Sequence, residues 1–591
     1  RPRRHMIDRL IDRRHFIALF TFVSLWMGTP VAAIPPAVAA RVAPLAIQAD
    51  TIQPVRAPDG MVVSASVDAS RAGADVLAAG GNAVEAAIAT GFALAVTHPF
   101  AGNIGGGGFM VIRFPDGTAT ALDFREKAPL AAYPEMWLDD SGEYSRTKHH
   151  RGALAVGVPG TVAGFWKAHQ VYGSQDWENL VRPAIGLALD GFVLTDRLAR
   201  SLRGFVTGRG AAYEATMNSF SNEGRPYSSG DRLIQTDLGR TLERIALEGH
   251  DGFYAGETAR LLVAEMEREG GIITLEDLAR YEARERTPVH GTYRGYDVIS
   301  MPPPSSGGIA IVEMLNILEG YDLAAMGHNS AEYVHHLVEA MRRAFRDRAQ
   351  YVADVDFADV PLHGLTSKDY AARVRSEIDG AAAGVSAPSD IALVYEPRET
   401  THYSVVDGSG MAVSVTYTLE GGYGSGITVP GAGFLLNNEM GDFNAGPGLT
   451  DARGLIGTEP NLARPEQRML SSMSPSILAR DGELVAVVGS PGGRRIINTV
   501  LQVFLNIMEF DMSIGEAVAA KRLHHQWLPD QVGIESDGVS GATAERLRQL
   551  GHRVSVGGSQ GFAQSIMIDP ETGDRLGMPD PRHDDAAAVG N

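Results

Sequence analysis

Thr400 and Thr401 stand where a loop becomes a hairpin. Pro397-Arg398-Glu399 reads as loop. His402-Tyr403-Ser404-Val405-Val406-Asp407, Gly408-Ser409-Gly410 and Met411 to Thr418 read as strand, turn and strand. A two-residue loop would set Thr400 across from Tyr417 and mix polar with apolar on each face. A three-residue loop, Gly408 to Gly410, pairs Thr400 with Thr418, His402 with Thr416 and Ser404 with Ser414. The second register gathers hydroxyls on one face and Tyr403, Val405, Val413 and Val415 on the other, so it is the one expected. It places two threonine hydroxyls side by side at the mouth of a strand. A hydroxyl there could attack the carbonyl of Glu399 and, through an ester that water opens, leave Thr400 as a new N-terminus. The freed α-amine titrates near ~7.7–8.0 and lies within reach of its own hydroxyl, which is a known way of activating threonine. On these residues alone an ordinary hairpin rich in β-formers is the better reading.

The surrounding blocks change that balance. Thr400 to Asp407 resembles the start of the small subunit of the γ-glutamyltransferases (γ-glutamyltranspeptidases), self-cleaving N-terminal-nucleophile hydrolases. The likeness runs from about Gly60 almost to the C-terminus. It takes in Gly102-Asn103-Ile104-Gly105-Gly106-Gly107-Gly108-Phe109, Asp123-Phe124-Arg125-Glu126 and Pro304-Ser305-Ser306-Gly307-Gly308. It continues through Leu436-Asn437-Asn438-Glu439-Met440-Gly441-Asp442-Phe443, Ser471-Ser472-Met473-Ser474-Pro475 and Gly489-Ser490-Pro491-Gly492-Gly493.

The resemblance implies cleavage between Glu399 and Thr400. A large subunit, 59–399, would then associate with a small catalytic one, 400–591, as a heterodimer. Thr400 would attack a γ-glutamyl carbonyl, Thr418 would orient it, and the γ-glutamyl ester would pass to water or to an amino acid or peptide. Glutathione is the implied donor. Gly489 to Arg494 follows an apolar strand and precedes a helix; taken alone it is a plain turn or an oxyanion hole in equal measure. With the resemblance, Gly492 and Gly493 become the oxyanion donors. Arg125 matches the arginine that holds the substrate α-carboxylate, a task suited to its forked guanidinium. Ser471 and Ser472 match serines that assist there, and Glu439 and Asp442 match groups that hold the α-ammonium. Together they make a zwitterion clamp with the cation and hydroxyls at one end and two anions at the other. Two positions depart from the pattern: Glu420 stands where many bacterial members have Asn, also at the substrate side, and Arg453 replaces a common Tyr in the lid-like segment.

Other motifs dissolve on inspection. Gly105–Gly108 matches neither dinucleotide nor P-loop spacing and reads as a tight turn with close backbone approach. Gly557-Gly558-Ser559-Gln560-Gly561 satisfies G-x-S-x-G, but both flanks look extended, so a hairpin turn is expected rather than a nucleophile elbow. His335-His336 with Glu339, His149-His150 and His524-His525 lack metalloprotease spacing and are expected to be structural or surface histidines, with no catalytic metal and no cofactor.

The elements that must position these residues follow from pattern. Strands are expected at 60–66, 109–113, 401–407, 411–418, 432–437, 475–480 and 484–489. Helices are expected at 69–79, 82–95 (buried) and 496–508, and one with Val334, Leu337, Val338, Met341 and Phe345 on its core face. Most of 155–380 reads as helices with polar loops, and the C-terminus as βαβ. Strands around Thr400 with helices elsewhere suit an α+β fold, a four-layer αββα sandwich.

The 591 residues exceed the usual single core, and a net charge of −19 offers no surplus to neutralise phosphates, which argues against nucleic acid. Cysteine is absent, which excludes disulfides and thiolate chemistry. Arg13-Arg14, the apolar run Phe16 to Met27 and small residues at 31–33 and 38–40 predict an export signal over 1–40, with paired arginines hinting at the twin-arginine route, then a linker over 41–58. At about 12 residues the apolar run is too short to span a bilayer, so an exported, periplasmic or extracellular protein without a stable membrane span is expected. Two other readings stay open: a cephalosporin- or glutaryl-type acylase, or poly-γ-glutamate-processing relative, on the same scaffold; and a noncatalytic exported binding protein.

Overall fold

The computed structural model describes residues 53–387, 400–449, 451 and 457–591. The export signal, Glu399, Arg453 and most of the linker fall outside them. Two seven-stranded antiparallel sheets form the centre. The first runs, edge to edge, Ala587–Gly590, Met61–Ser64, Thr401–Val406, Ala412–Thr418, Gly107–Arg113, Ala119–Phe124 and Arg284–Arg286. The second runs Val55–Ala57, Arg575–Met578, Ser565–Ile568, Glu483–Val488, Ser476–Arg480, Tyr296–Ser300 and Val289–Tyr293.

The period-two pattern of the hairpin sorts its side chains between two cores. Tyr403, Val405, Val413, Val415 and Tyr417 join Val62, Met110, Ile112, Leu122 and Phe124 against the helices Val67–Ala78, Ala83–Thr97 and Thr161–Tyr172. Met61, Val63, Phe109, Val111 and Ala121 pack with Val298, Ile477, Val488 and Ile566 of the second sheet. That core extends to the helices Gly307–Leu318, Ala331–Tyr351 and Arg495–Phe510. The result is helix, sheet, sheet, helix, as the alternation predicts. Each wholly buried Val or Ile contributes on the order of 1.5–3 kcal/mol. Helix Ala83–Thr97 is buried on every side and opens with a capping box between Asn82 and Glu85.

The hairpin register is the three-residue-loop one: His402 faces Thr416 and Ser404 faces Ser414. Its polar face lies between the sheets, where burial demands partners. Ser404 Oγ donates to the Gln564 carbonyl at 2.9 Å, and Ser476 N–H donates to Ser414 Oγ at 3.1 Å. With Ser404 spent as a donor, His402 donates from Nε2 to Ser404 Oγ (3.0 Å) and accepts at Nδ1 from Thr416 (2.8 Å). Burial drives its pKa down to about 3, so it stays neutral. Gly489 makes room for this ring: a Cβ there would stand 2.2 Å from His402 Cε1.

Three local expectations fail for physical reasons, and a fourth holds for most of its stretch but is incomplete. The stretch 155–380 is not helix and loop alone, since Val289–Tyr293 and Tyr296–Ser300 form a hairpin at the edge of the second sheet. Its two-residue turn, Arg294-Gly295, has φ of 45° and 82°, the left-handed pair that tight hairpins need. Residues 432–437 make only an isolated bridge between Leu435 and Thr428, because Gly431 and Gly433 sit at positive φ. Residues 557–561 do not turn a hairpin. Val554–Val556 pairs in parallel with Val532–Ile534 across the helix Gly541–Gln549, the expected βαβ, while Ser565–Ile568 belongs to the second sheet. Within the expected linker, Val55–Ala57 is an edge strand, fixed by Arg56 to Asp569 and Asp574.

Candidate active site

Thr400 precedes its strand by one residue and is 6% exposed. Its Oγ lies 3.4 Å from Thr418 Oγ, which accepts the Glu420 N–H at 2.9 Å. The Thr418 carbonyl accepts from Asn103 Nδ2 (2.9 Å), and Asn103 Oδ1 accepts from Gly106 N–H and the Thr161 hydroxyl. Here the glycine quartet shows its use: a Cβ on Gly106 would stand 2.1 Å from the Thr418 carbonyl oxygen. The turn holds the end of the hairpin by close approach, as its lack of a phosphate motif predicts.

One small cavity, about 20 Å³, is bordered by Thr400, Thr418, Arg125, Glu420, Glu439, Asp442, Ser471, Ser472 and Gly493. Residues drawn from six separate stretches of sequence thus meet at the hydroxyl. Gly492 adjoins them without lining the cavity. Gly492 and Gly493 take φ of 133° and 56°, and among the described residues neither amide N–H meets an acceptor. Two unspent N–H groups beside a nucleophilic oxygen are what a developing oxyanion requires.

Arg125 is wholly buried. Its Nε donates to the Met469 carbonyl (3.3 Å) and Nη2 to that of Leu470 (3.1 Å), while Nη1 pairs with Glu439 and Nη2 with Asp442. The expectation that cation and anions occupy opposite ends of a clamp is therefore corrected: they touch. In a low-dielectric pocket a guanidinium and carboxylates this close attract strongly, and neither can remain buried alone. Burial opposes the arginine's charge, but Glu439, Asp442 and Glu126 outweigh it and hold Arg125 protonated. Ser471 Oγ accepts the Met473 N–H at 3.1 Å, and Ser472 Oγ accepts from Arg348 Nη2 at 2.9 Å.

The sequence pattern does not single out Arg348, whose Nε also holds Ser306 Oγ at 2.8 Å, or Asn437. Asn437 Oδ1 accepts from Gly157 and Glu439 N–H, while Nδ2 donates to the Gly105 and Gly157 carbonyls, tying the Glu439 segment to the glycine turn. No local motif marks either residue. Only the place of Asn437 in the block Leu436 to Phe443, and of Arg348 on the helix Ala331–Tyr351, could have drawn notice.

Glu420 sits at φ 74°, a left-handed conformation that asparagine tolerates and glutamate adopts at a cost of about 1–2 kcal/mol. Its carboxylate is held by Asn438 Nδ2 and by His150 Nδ1 at 3.3 Å. Burial, then Asp442, lifts its pKa well above the usual range, and burial lifts Glu439 likewise. Burial brings His150 down to about 4, which leaves it neutral beside Glu420.

Glu126, buried with neither oxygen hydrogen-bonded, is pushed up to about 8 by burial against the pull of Arg125. A carboxyl raised on folding favours the protonated folded state. Its stabilisation is full below the unfolded value of about 4.3 and is lost as pH rises towards about 8. Wild-type protein is accordingly expected to lose melting midpoint between pH 5 and pH 9 faster than Glu126→Gln, and parallel curves would refute this.

Elsewhere, His335, Glu339 and His552 bring ligand atoms within 4.8 Å of one another. The cluster is spoken for: Glu339 pairs with Arg342 and Arg343 and accepts the Gly384 N–H, and His335 bonds His552 and the Asp379 carbonyl. Two guanidiniums on the cluster's one carboxylate disfavour a cation there.

The family profile for gamma-glutamyltranspeptidase matches residues 69–590. The glutathione hydrolase proenzyme of Escherichia coli (strain K12) is 47% identical over 547 residues, 92% of this chain and 94% of its own. Among solved structures, cephalosporin acylase from Bacillus halodurans superposes with a TM-score of 0.81 at 28% identity, over 91% of this chain and 97% of its own. Helicobacter pylori gamma-glutamyltranspeptidase is 45% identical with a TM-score of 0.53, over 54% of this chain and 91% of its own. With a family match across nearly all the described residues and sheets that converge on one buried threonine, the chain belongs to the γ-glutamyltranspeptidase family.

Proposed function

We propose that this chain is a self-processing γ-glutamyltransferase and glutathione hydrolase that acts through a γ-glutamyl ester on Thr400. The observation that carries this reading is the convergence of the Thr400 hydroxyl, Gly493 and the Arg125–carboxylate cluster on one cavity. Cleavage after Glu399 gives a large subunit, 59–399, and a small one, 400–591, and frees the Thr400 amine. Thr400 Oγ then adds to the γ-carbonyl of the donor while that amine takes its proton and passes it to the departing nitrogen. Thr418 orients Oγ, and the Gly492 and Gly493 N–H groups stabilise the oxyanion. Water or the amine of an amino acid or peptide next attacks the ester, and Thr400 recovers its proton.

For the donor's head group, Arg125 with Ser471 and Ser472 takes the α-carboxylate, and Glu439, Asp442 and Glu420 take the α-ammonium. The cavity holds little more than one water, so binding must part Arg125 from its carboxylates. The exchange conserves charge: each ion swaps an internal partner for one on the substrate. No helix among the described residues is long and apolar enough to cross a membrane, and the signal-like N-terminus supports export to the periplasm or beyond. The mechanism draws only on groups of this chain.

An acylase of glutaryl side chains would use the same threonine, and the solved cephalosporin acylase makes that the reading to exclude. A glutaryl group lacks the ammonium that buried carboxylates await, and such unmet polar groups discriminate strongly. Turnover of γ-glutamyl-p-nitroanilide is expected to exceed that of glutaryl-p-nitroanilide by at least about 100-fold. Preference for the glutaryl compound would transfer the chain to the acylases, and a single inactive band on denaturing electrophoresis would make it a binding protein.

A further inference from the structure

Thr400, with Thr401 and His402, also borders a second cavity, of about 170 Å³. Its wall is largely apolar, with Phe100, Leu198 and Phe562, but two charged residues, Arg197 and Asp585, also reach it. Arg197 lies in the first turn of the helix Asp196–Val206. Its guanidinium stacks on the Phe562 ring at 5.3 Å, and among the described residues it enters no hydrogen bond or ion pair. Asp585 is occupied by the Thr195 hydroxyl at 2.9 Å. His583, which is buried in the same wall, has an Nδ1 without a hydrogen-bond partner. Burial, His98 and Arg197 hold His583 neutral, and burial brings His98 down to about 4. Among the described residues, the cation in this chamber is Arg197; it feels the charge of Asp585, but its hydrogen-bond donors are unspent.

A nucleophile that cleaves an amide needs room on both sides of the carbonyl it attacks. Under the γ-glutamyl reading the Arg125 cavity takes the acyl side. Resting on that reading, we propose that the second cavity receives the amine side, and that Arg197 grips the carboxylate of the peptide that leaves and of the amino acid or dipeptide that accepts. The apolar wall covers the side chain, while the stacked, forked guanidinium offers a carboxylate two parallel N–H bonds. In transfer, the acceptor's neutral amine forms the new C–N bond as the C–Oγ ester bond breaks. The proton it sheds passes through the Thr400 amine to Oγ. In the forward half the same path delivers the Oγ proton to the departing nitrogen, so no other reactant is needed.

The mature enzyme tests this with paired acceptors, glycylglycine and glycylglycine amide, on γ-glutamyl-p-nitroanilide as donor. Wild type is expected to show a KM for glycylglycine roughly tenfold below that for the amide. Arg197→Gln, still processed into two subunits, is expected to raise the glycylglycine KM about tenfold and to erase most of that difference. The fall in kcat/KM for glutathione should exceed that for the anilide by a similar factor. Equal wild-type KM values for the two acceptors would overturn the assignment without any variant. So would an Arg197→Gln enzyme that weakens both acceptors alike. If wild type fails to turn over the γ-glutamyl anilide at all, the γ-glutamyl reading falls and this subsite with it; normal anilide turnover with indifferent acceptors sinks the Arg197 assignment alone.

Discussion

Thr400→Ala is expected to purify as one unbroken chain with γ-glutamyl transfer and hydrolysis reduced by at least about 10⁴-fold. Under the proposed mechanism the hydroxyl serves twice, first against the Glu399 carbonyl and then against the donor, so one substitution removes both reactions. Collapse of the fold is no competing account. The residue precedes its strand, the change deletes one hydroxyl and one methyl, and Thr401 to Val406 keep every ladder partner. Loss of a buried methyl-sized group costs about 1 kcal/mol, small beside two interlocked sheets. Thr418 would lose its 3.4 Å neighbour but keep the Glu420 N–H. Thr400→Ser restores a hydroxyl on the same backbone and should restore splitting, more slowly, because the serine rotamer is less confined. Intact-mass measurement together with initial rates decides the matter, and an alanine variant that splits normally would take the attacking role from Thr400.

The hairpin that carries this residue was legible because alternation chooses between its two possible turn lengths. Only the three-residue loop Gly408–Gly410 keeps polar and apolar residues on separate faces, and it sets His402 opposite Thr416. The layered fold was legible for the same reason. Tyr403 and Val405 turn to one core while Val63 and Val111 turn to the other. Glu439, Asp442, Ser471 and Ser472 were another matter. Glu439 and Asp442 lie on a single 3-10 turn and Ser471 and Ser472 outside any helix or strand, stretches too short to show a period, and only the resemblance singled them out. Arg348 escaped notice because a charged residue late in a helix reads as solvated surface, while its actual partners, Ser306 and Ser472, lie 42 and 124 residues away in sequence. The contact of Arg125 with Glu439 and Asp442 was missed for a related reason. Sequence identifies charges but not the dielectric around them, and in a dry pocket attraction overrides an arrangement drawn for binding.

If the chain is cut before Thr400 as proposed, the sheets explain how it would remain one body. The strand Thr401–Val406 lies between Met61–Ser64, from before the cut, and Ala412–Thr418, from after it. Glu483–Val488 and Ser476–Arg480 share a sheet with Tyr296–Ser300 in the same way. Backbone ladders therefore bridge the two products of cleavage in both layers. The proposed scission would release a terminal amine without breaking these ladders.

Arg125→Lys is expected to lower kcat/KM for γ-glutamyl donors by about 100-fold or more, near 3 kcal/mol at ~1.4 kcal/mol per tenfold, with processing at Thr400 retained. Lysine keeps the charge, so Glu439 and Asp442 are not left without a cation. Alanine would leave them so and should cost about 3–5 kcal/mol of stability, which makes it the poorer probe. What lysine forfeits is the number and direction of donors. Arg125 serves four acceptors at once, the Met469 and Leu470 carbonyls and the carboxylates of Glu439 and Asp442. An ammonium has three hydrogens on a single atom and cannot span that fork. The two carbonyls fix the plane in which the guanidinium meets an incoming carboxylate; without them a point charge attracts but does not align. The defect should accordingly track the substrate's α-carboxylate. A donor whose α-carboxylate is replaced by hydrogen is expected to be poor with wild type already, and Arg125→Lys should make it little worse. Equal losses on donors with and without that carboxylate would mean that Arg125 supports the pocket by charge alone, and the head-group assignment would have to be withdrawn.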